Sequence, residues 1–369
     1  MIKTKLSEWL GIRYPIIQAG MGPFGTNKLC IAASNAGVLG LISSSGIATR
    51  ETQPGIYKYF VETGGATLED DPKAALKKIF YQTLEGTREK QGIFGVNVMV
   101  AVEMKEWAEL IIGTMIEVRE ENAEMKKRFK VLVTSAGDPL PWTQKVKKAG
   151  LHWMHVIPSV KGALRCQKAG VDGVVASGHE GGFHTSWEPV HSMILLPAVV
   201  DALAGSNLRV VGAGGFCDGK TLVAALTLGA SGAQMGTRFL ATKESDFHHM
   251  WKEGVVKAGD RGTLVARGFV GPARWLKTPV SMKHQQNTLK MSPGVFLGVP
   301  DDYSTVSPEL IQSEIAAMNA VYAGDESKAL LAGGECAQRI QDLPTVDDLV
   351  KRIAREAEEV LARLPACLG

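Results

Sequence analysis

The sequence predicts an α/β fold, a single closed (β/α)8 TIM barrel with a long C-terminal extension. Three observations carry that expectation. Eight short apolar runs, often β-branched, recur between residues 15 and 239. Stretches of helical periodicity separate them. The chain has 369 residues, more than a minimal domain and in the range of one large barrel.

The runs are 15–21, 38–43, 94–100, 130–135, 153–158, 173–176, 209–213 and 233–239. They are apolar throughout rather than alternating, as parallel strands buried on both faces read. Between them, 103–119 places Trp107, Leu110, Ile111, Met115 and Val118 at helical spacing, and 160–169 and 219–228 read similarly. The long connection 53–91 is read as partly helical and placed to cover the barrel mouth. An open doubly wound sheet is the competing fold. It would want a G-x-G-x-x-G turn after the first run, which instead ends Gln18-Ala19-Gly20-Met21-Gly22. Beyond the eighth run, 244–258 and 307–321 read as helices, 264–298 as extended loop, and 346–364 as an amphipathic helix. No linker interrupts this tail. Residues 1–369 are therefore expected to form one domain, with 245–369 as an extension packed on the barrel.

Composition narrows the function. Lys plus Arg number 41 and Asp plus Glu 38, a net charge of 41 − 38 = +3, with no long basic block. Nucleic acid is not an expected partner. Five cysteines stand far apart without a C-x-x-C pair, which argues against zinc and thioredoxin chemistry and suits a reducing, cytoplasmic setting. The N-terminus lacks the apolar core of a secretory signal. The apolar stretch 194–204 is too short to span a bilayer and is broken by Pro197 and Asp201, so no membrane role is expected.

Chemistry in such a barrel gathers at the C-terminal ends of the strands, with phosphate often held after strands seven and eight. Here those ends read Ala213-Gly214-Gly215-Phe216-Cys217-Asp218-Gly219 and Met235-Gly236-Thr237-Arg238-Phe239. Glycine lets backbone N–H groups approach phosphate oxygens, and a following helix N-terminus favours the anion. Glycines also simply end strands tightly, but two such loops at the two expected strands favour phosphate. The first run's end, Ala19-Gly20-Met21-Gly22, is small enough for a flat ring to approach, and Asn97 is an amide inside an apolar strand. Asn97 suits either a ring edge or a satisfied core position.

The sixth run ends Ser177-Gly178-His179-Glu180-Gly181-Gly182-Phe183-His184. His184 is the candidate acid/base, since imidazole exchanges protons near neutrality. His179, Glu180 and His184 have the residue types of a metal site, but the glycines between them suit a loop hugging a cofactor, and no metal is expected.

Together these motifs resemble the nitronate monooxygenase (2-nitropropane dioxygenase) family, which includes the FMN-dependent enoyl-acyl-carrier-protein reductases. The resemblance covers residues 10 to 245 and, more weakly, 333–350. It implies a barrel that binds FMN without a covalent bond. By position, Ala19, Gly20, Met21, Gly22 and Asn97 would lie at the flavin ring. Ser177, Glu180, Gly181 and Gly182 would lie on the loop beside it. Ala213, Gly214, Gly215, Met235, Gly236 and Thr237 would hold the phosphate end, and His184 matches the family's active-site histidine. One position departs: Phe183 stands where the family has glycine before that histidine.

The resemblance implies an oxidoreductase. The first reading is flavin-mediated oxidation of a nitronate-like small molecule. The alternative is NAD(P)H-dependent reduction of an enoyl or related CoA or carrier-protein thioester, with Lys277, Lys283 and Lys290 available to the phosphates of such an arm. A lyase or isomerase without flavin would want a catalytic Lys or a carboxylate pair at strand ends, and no clear one is found. A flavin-binding protein without turnover sits poorly with the crowded sixth strand end. A homodimer is an expected state.

Overall fold

The computed structural model describes residues 2–22, 25–300 and 306–368. Eight parallel strands form the barrel: β1 (Ile16–Gln18), β2 (Gly40–Ser43), β3 (Phe94–Met99), β4 (Phe129–Ser135), β5 (His152–Ile157), β6 (Gly173–Ser177), β8 (Arg209–Ala213) and β9 (Ala233–Met235). Three more, β7 (Phe183–His184), β10 (Thr263–Gly268) and β11 (Gly271–Leu276), make a separate antiparallel sheet.

The barrel order is β1-β9-β8-β6-β5-β4-β3-β2. The ring is closed between its two ends by parallel pairing of Ile17 with Leu39. Gln18 N–H donates to Leu39 O at 2.8 Å, and Leu39 N–H donates to Ile16 O at 3.1 Å. Closure removes the exposed edges that an open sheet would leave.

Inside the ring, Ile17, Leu39, Leu41, Val131, Val133, Met154, Val175 and Val211 fill the interior as a packed core. Helix Lys5–Leu10 plugs the N-terminal end: Leu6 and Leu10 are fully buried in that cluster, and Thr4 Oγ1 donates to Ser231 O at 2.6 Å, just before β9. With that end closed, the opposite end is left for chemistry. The apolar faces of the outer helices pack in a second layer, where Phe80 and Phe94 both meet Phe129.

Each predicted run overlaps its strand, and the bounds agree to within a few residues: β4 and β5 begin one residue earlier than predicted, and β6 ends one residue later. Run 233–239 splits: pairing stops at Met235, and Thr237–Leu240 is a helix, since the helix shields its own backbone where no neighbouring strand continues. The segment 264–298 is not extended loop. It is the β10–β11 hairpin followed by helices Pro279–Met291 and Gly294–Leu297. Its glycines and prolines are turn and N-terminal residues: Gly271 sits at φ +147° after the hairpin tip, and Pro279 opens a helix capped by Thr278. Connection 53–91 is two helices. Pro72–Gly86 takes an outer-ring place beside Lys105–Glu121, while Pro54–Thr63 packs on the extension helix Pro308–Tyr322. The helix in 244–258 starts only at His249.

The extension is held to the barrel by a cluster that mixes barrel and tail residues. Cys217, Leu240 and Ala241 pack with Trp251, Trp275, Met318, Leu330 and Ile340. The amphipathic helix Val346–Arg363 packs on helix Gly219–Thr227, and Glu356 accepts from Gly219 N–H at 2.7 Å. Among the described residues, no helix is long and apolar enough to cross a membrane.

Candidate active site

Four strand ends converge at the C-terminal side of the barrel. After β8, Gly214 and Gly215 both take φ +85°, where a side chain strains the backbone. A Cβ at Gly214 would also stand 2.6 Å from Gly178 O, so this turn requires glycine for contact with the β6 loop. Among the described residues, the amides of Gly214 and Gly215 donate to no acceptor. Two undonated N–H groups at a half-buried glycine turn are the form of an anion cradle.

Gly236 lies opposite, after β9. A Cβ there would meet nothing nearer than Met21 Sδ at 3.4 Å and Ala19 Cβ at 3.7 Å. One at Gly181 would meet Gly178 O at 3.4 Å and Ser177 Oγ at 3.7 Å. A Cβ would therefore fit at either glycine in ordinary contact, Gly236 beside Ala19 and Met21 and Gly181 beside Ser177, at the sequence-predicted positions. Gly20 is pressed on Asn97, with a Cβ–Cβ distance of 2.6 Å were it an alanine, and a side chain at Gly22 would collide with Ser45. Asn97 Nδ2 donates to Val133 O at 3.2 Å and Ser135 Oγ at 3.4 Å, while Ser44 holds its carbonyl at 2.6 Å. Asn97 is thus anchored through its N–H2, and among the described residues its side-chain oxygen accepts no hydrogen bond.

The β6 loop is wired along its length. Gly178 N–H donates to Ala213 O at 2.9 Å and His179 N–H to Val190 O at 3.0 Å. The Glu180 carboxylate accepts from Ser192 N–H at 2.9 Å and Ser192 Oγ at 2.7 Å, which ties it to the first residue of helix Ser192–Ala202. Phe183 and His184 then form β7 against Arg274 and Ala273 of β11. Phe183 adopts φ +62°, the left-handed region that glycine favours. Its ring is held by Trp275 at 5.5 Å and Phe269 at 6.2 Å, both edge-on. An aromatic seat thus keeps a strained residue where the family pattern has glycine.

The His184 ring lies tilted against the Phe183 ring, with centroids 4.2 Å apart. The residue as a whole is half-buried, but its Nε2 is shielded from solvent and has no hydrogen-bond partner. Burial first, and the Arg267 charge second, push its pKa down to about 4. His179 is pushed to about 4 as well, by burial and then by Arg274, and its Nδ1 is also unpartnered. Both rings are therefore neutral at pH 7, and a neutral imidazole offers one N–H and one lone pair.

The sequence reading missed the contribution of the extension. Gly334 N–H donates to Thr237 Oγ1 at 2.9 Å, and Glu335 N–H donates to Glu180 O at 2.9 Å. A side chain at Gly182 would strike Gly334 N at 2.6 Å. Arg274, buried on β11, donates to His179 O at 2.9 and 3.2 Å and pairs with Glu335 at 2.9 Å. The available signal was an arginine inside the otherwise apolar 271–276 run. Lys277, Lys283 and Lys290 are exposed on and before helix Pro279–Met291.

Comparison with known proteins fits this geometry. The family model described as nitronate monooxygenase matches residues 3–356. A (3aS,4S,5R,7aS)-5-hydroxy-7a-methyl-1-oxo-octahydro-1H-indene-4-carboxyl-CoA dehydrogenase of Mycobacterium tuberculosis is 30% identical over 96% of both chains. A probable nitronate monooxygenase of Staphylococcus aureus is 28% identical over 73% of this chain and 76% of its own. Among solved structures, FabK from Thermotoga maritima superposes with a TM-score of 0.75 at 28% identity, covering 99% of each chain.

Proposed function

The chain belongs to the nitronate monooxygenase family, a family of oxidoreductases, and from that premise we propose that it is an FMN-dependent oxidoreductase acting on a CoA-type acyl thioester. One observation carries the choice of substrate. The relative named as a CoA dehydrogenase aligns over 96% of both chains, a span that takes in most of the extension, and the extension builds the His184 side of the site. The relative named as a nitronate monooxygenase covers 73% of this chain. We read the barrel and its extension as one functional unit on the same ground.

The undonated amides of Gly214 and Gly215, with Gly236 and Thr237 across from them, would hold a single phosphate. One cradle and no second dinucleotide fingerprint favour FMN over FAD. Ala19, Gly20, Met21, Gly22 and Asn97 would border the ring, with Ser177, Glu180, Gly181 and Gly182 along its side. When bound, FMN would supply two-electron exchange, with NAD(P)H as the electron source in the reducing direction.

The chain's own part is proton handling. A thioester carbonyl acidifies the carbon beside it. His184, neutral and with Nε2 free of any partner, is fitted to take the proton from that carbon or return it. The β10–β11 hairpin backs His184, with Gly268 close to its shielded Nε2.

Anaerobic mixing of the flavin-loaded protein with an acyl-CoA, with NADH or NADPH followed by an enoyl-CoA, and with an alkyl nitronate tests the reading. Flavin reduction by acyl-CoA, or nicotinamide-reduced flavin reoxidised by enoyl-CoA, is the expected result. Bleaching by the nitronate alone would overturn the thioester assignment in favour of nitronate oxidation. A colourless protein that takes up no FMN would end both.

A further inference from the structure

An arginine buried in the middle of a β-hairpin is costly, and an apolar side chain of similar volume would pack there at less expense. Arg274 is 5% exposed on β11, between Ala273 and Trp275, which are fully buried. Its position therefore asks for a reason, and its contacts supply one. Its backbone stands in register with Phe183, at the far end of the β6 loop. Its guanidinium reaches the near end of the same loop, where Nε and Nη2 both donate to His179 O at 3.2 and 2.9 Å. The remaining arm is set by Glu335 at 2.9 Å and by Thr263 Oγ1 at 3.3 Å. Glu335 in turn holds the middle of the loop, through its N–H to Glu180 O at 2.9 Å.

Resting on the reading of this site as the catalytic one, we propose that Arg274 is a positioning residue that staples both ends of the 179–183 loop and so fixes His184 for proton exchange. It touches none of the atoms assigned to cofactor or substrate. It acts by holding the carbonyl of His179 while its own strand holds Phe183. The fork geometry matters: two parallel N–H groups on one carbonyl fix direction as well as distance, which a lysine ammonium does not.

The test is Arg274→Met, which keeps the stem and the strand pairing but removes the donors, with Arg274→Lys alongside. Steady-state kinetics are run on whichever substrate bleaches the flavin of the unmodified enzyme, normalised to bound FMN. The expected result is a kcat lowered about 10- to 100-fold, as misplacement of a catalytic group by an ångström does, with KM within a few-fold and FMN content unchanged. Arg274→Lys should recover only a small part, and added guanidinium should restore part of the Arg274→Met turnover. A normal kcat in Arg274→Met overturns the proposal. So does a loss fully explained by released FMN or by unfolding at the assay temperature, or a full recovery in Arg274→Lys. If Arg274→Met does not accumulate as folded protein, the Lys variant alone makes the same kcat comparison. A wild-type enzyme that reacts only with nitronate removes the thioester reading and leaves this comparison to be run on nitronate.

Discussion

The cradle side of the site and the His184 side are built from different kinds of sequence. On the cradle side, Gly214, Gly215 and Gly236 each follow directly on a barrel strand, and their positions are set by the ladder a residue or two away. On the other side, His184 is positioned by β11, about ninety residues further along, and the loop before it by Glu335, still more distant. A cradle fixed by strand ends is available to every barrel of this type. A wall supplied by an extension can change without disturbing the barrel. On the proposed function, cofactor binding belongs to the first side and substrate choice to the second, and substitutions on the two sides should separate these properties.

The largest effect is expected on the cradle side. Gly236→Asp places a carboxylate where the structure has room for a Cβ, at ordinary φ, so the fold should survive. Two like unit charges about 4 Å apart repel by roughly 4 kcal/mol at an effective dielectric of 20, enough to weaken FMN by at least about 100-fold. Flavin titration by fluorescence quenching reads it, and unchanged affinity would place the phosphate elsewhere. Gly236 is a cleaner probe than Gly215, whose φ of +85° strains any side chain.

On the opposite side, His184→Ala should keep FMN and lose at least about 100-fold in turnover, the lower end of what general acid/base assistance contributes. Kinetics normalised to flavin content give the answer. Near-normal turnover would make the histidine structural and break the division between the two sides, leaving His179, the other shielded ring with an unpartnered nitrogen, to be tested next.

The same division explains what could be read from the chain. The eight strands announce themselves because burial on both faces demands continuous apolar runs, and the glycine turns because close backbone approach excludes a Cβ. Gly214 against Gly178 and Gly20 against Asn97 bear this out. The hairpin did not announce itself. β10 and β11 carry Arg267 and Arg274 among glycines and a proline, so their composition reads as loop; their antiparallel pairing with each other, extended by two residues of β7, makes them a sheet. The arginine amid the 271–276 run marks Arg274 as unusual, but nothing local shows its role or that of Glu335, because their partners, the His179 carbonyl and the Arg274 guanidinium, come from distant segments. The end of the eighth strand was overrun for a related reason: Thr237 to Leu240 are all buried, as strand residues would be, and the loss of a neighbour at Met235 decides their state.

A smaller effect is expected at Phe183. Replacing it by glycine relieves a left-handed backbone, a gain of about 1–2 kcal/mol, and removes a half-buried ring of similar worth. Stability should therefore move by no more than about 1 kcal/mol in either direction. Flavin binding should hold, while the ratio of kcat/KM between a bulky and a small acyl substrate should change several-fold, because the ring seated on Trp275 and Phe269 lies beside His184. An unchanged ratio with unchanged flavin would place the substrate away from this aromatic wall.

The smallest expected effect is the absence of one, on mild acidification. Burial, with the Arg267 charge behind it, depresses the His184 pKa to about 4. The sign follows directly: the environment favours the neutral ring, so protonation is delayed to lower pH. An ordinary histidine titrating near 6.5 would keep only about a tenth of its neutral form at pH 5.5, whereas one titrating near 4 keeps nearly all of it. Turnover limited by the neutral ring should thus stay flat from pH 7 to 5.5 and fall only as pH nears 4. Through this group the fold also loses stability as pH drops from about 6.5 toward 4, since the unfolded chain takes up a proton that the folded one refuses. The measurement is kcat against pH, normalised to bound flavin, with circular dichroism at each pH to keep unfolding apart from titration. An acid limb with its midpoint near 6.5 in folded enzyme would mean that the ring in the working enzyme is open to water. The wall supplied by the extension would then not shield it, and substrate selection would have to be sought on the barrel's own loops.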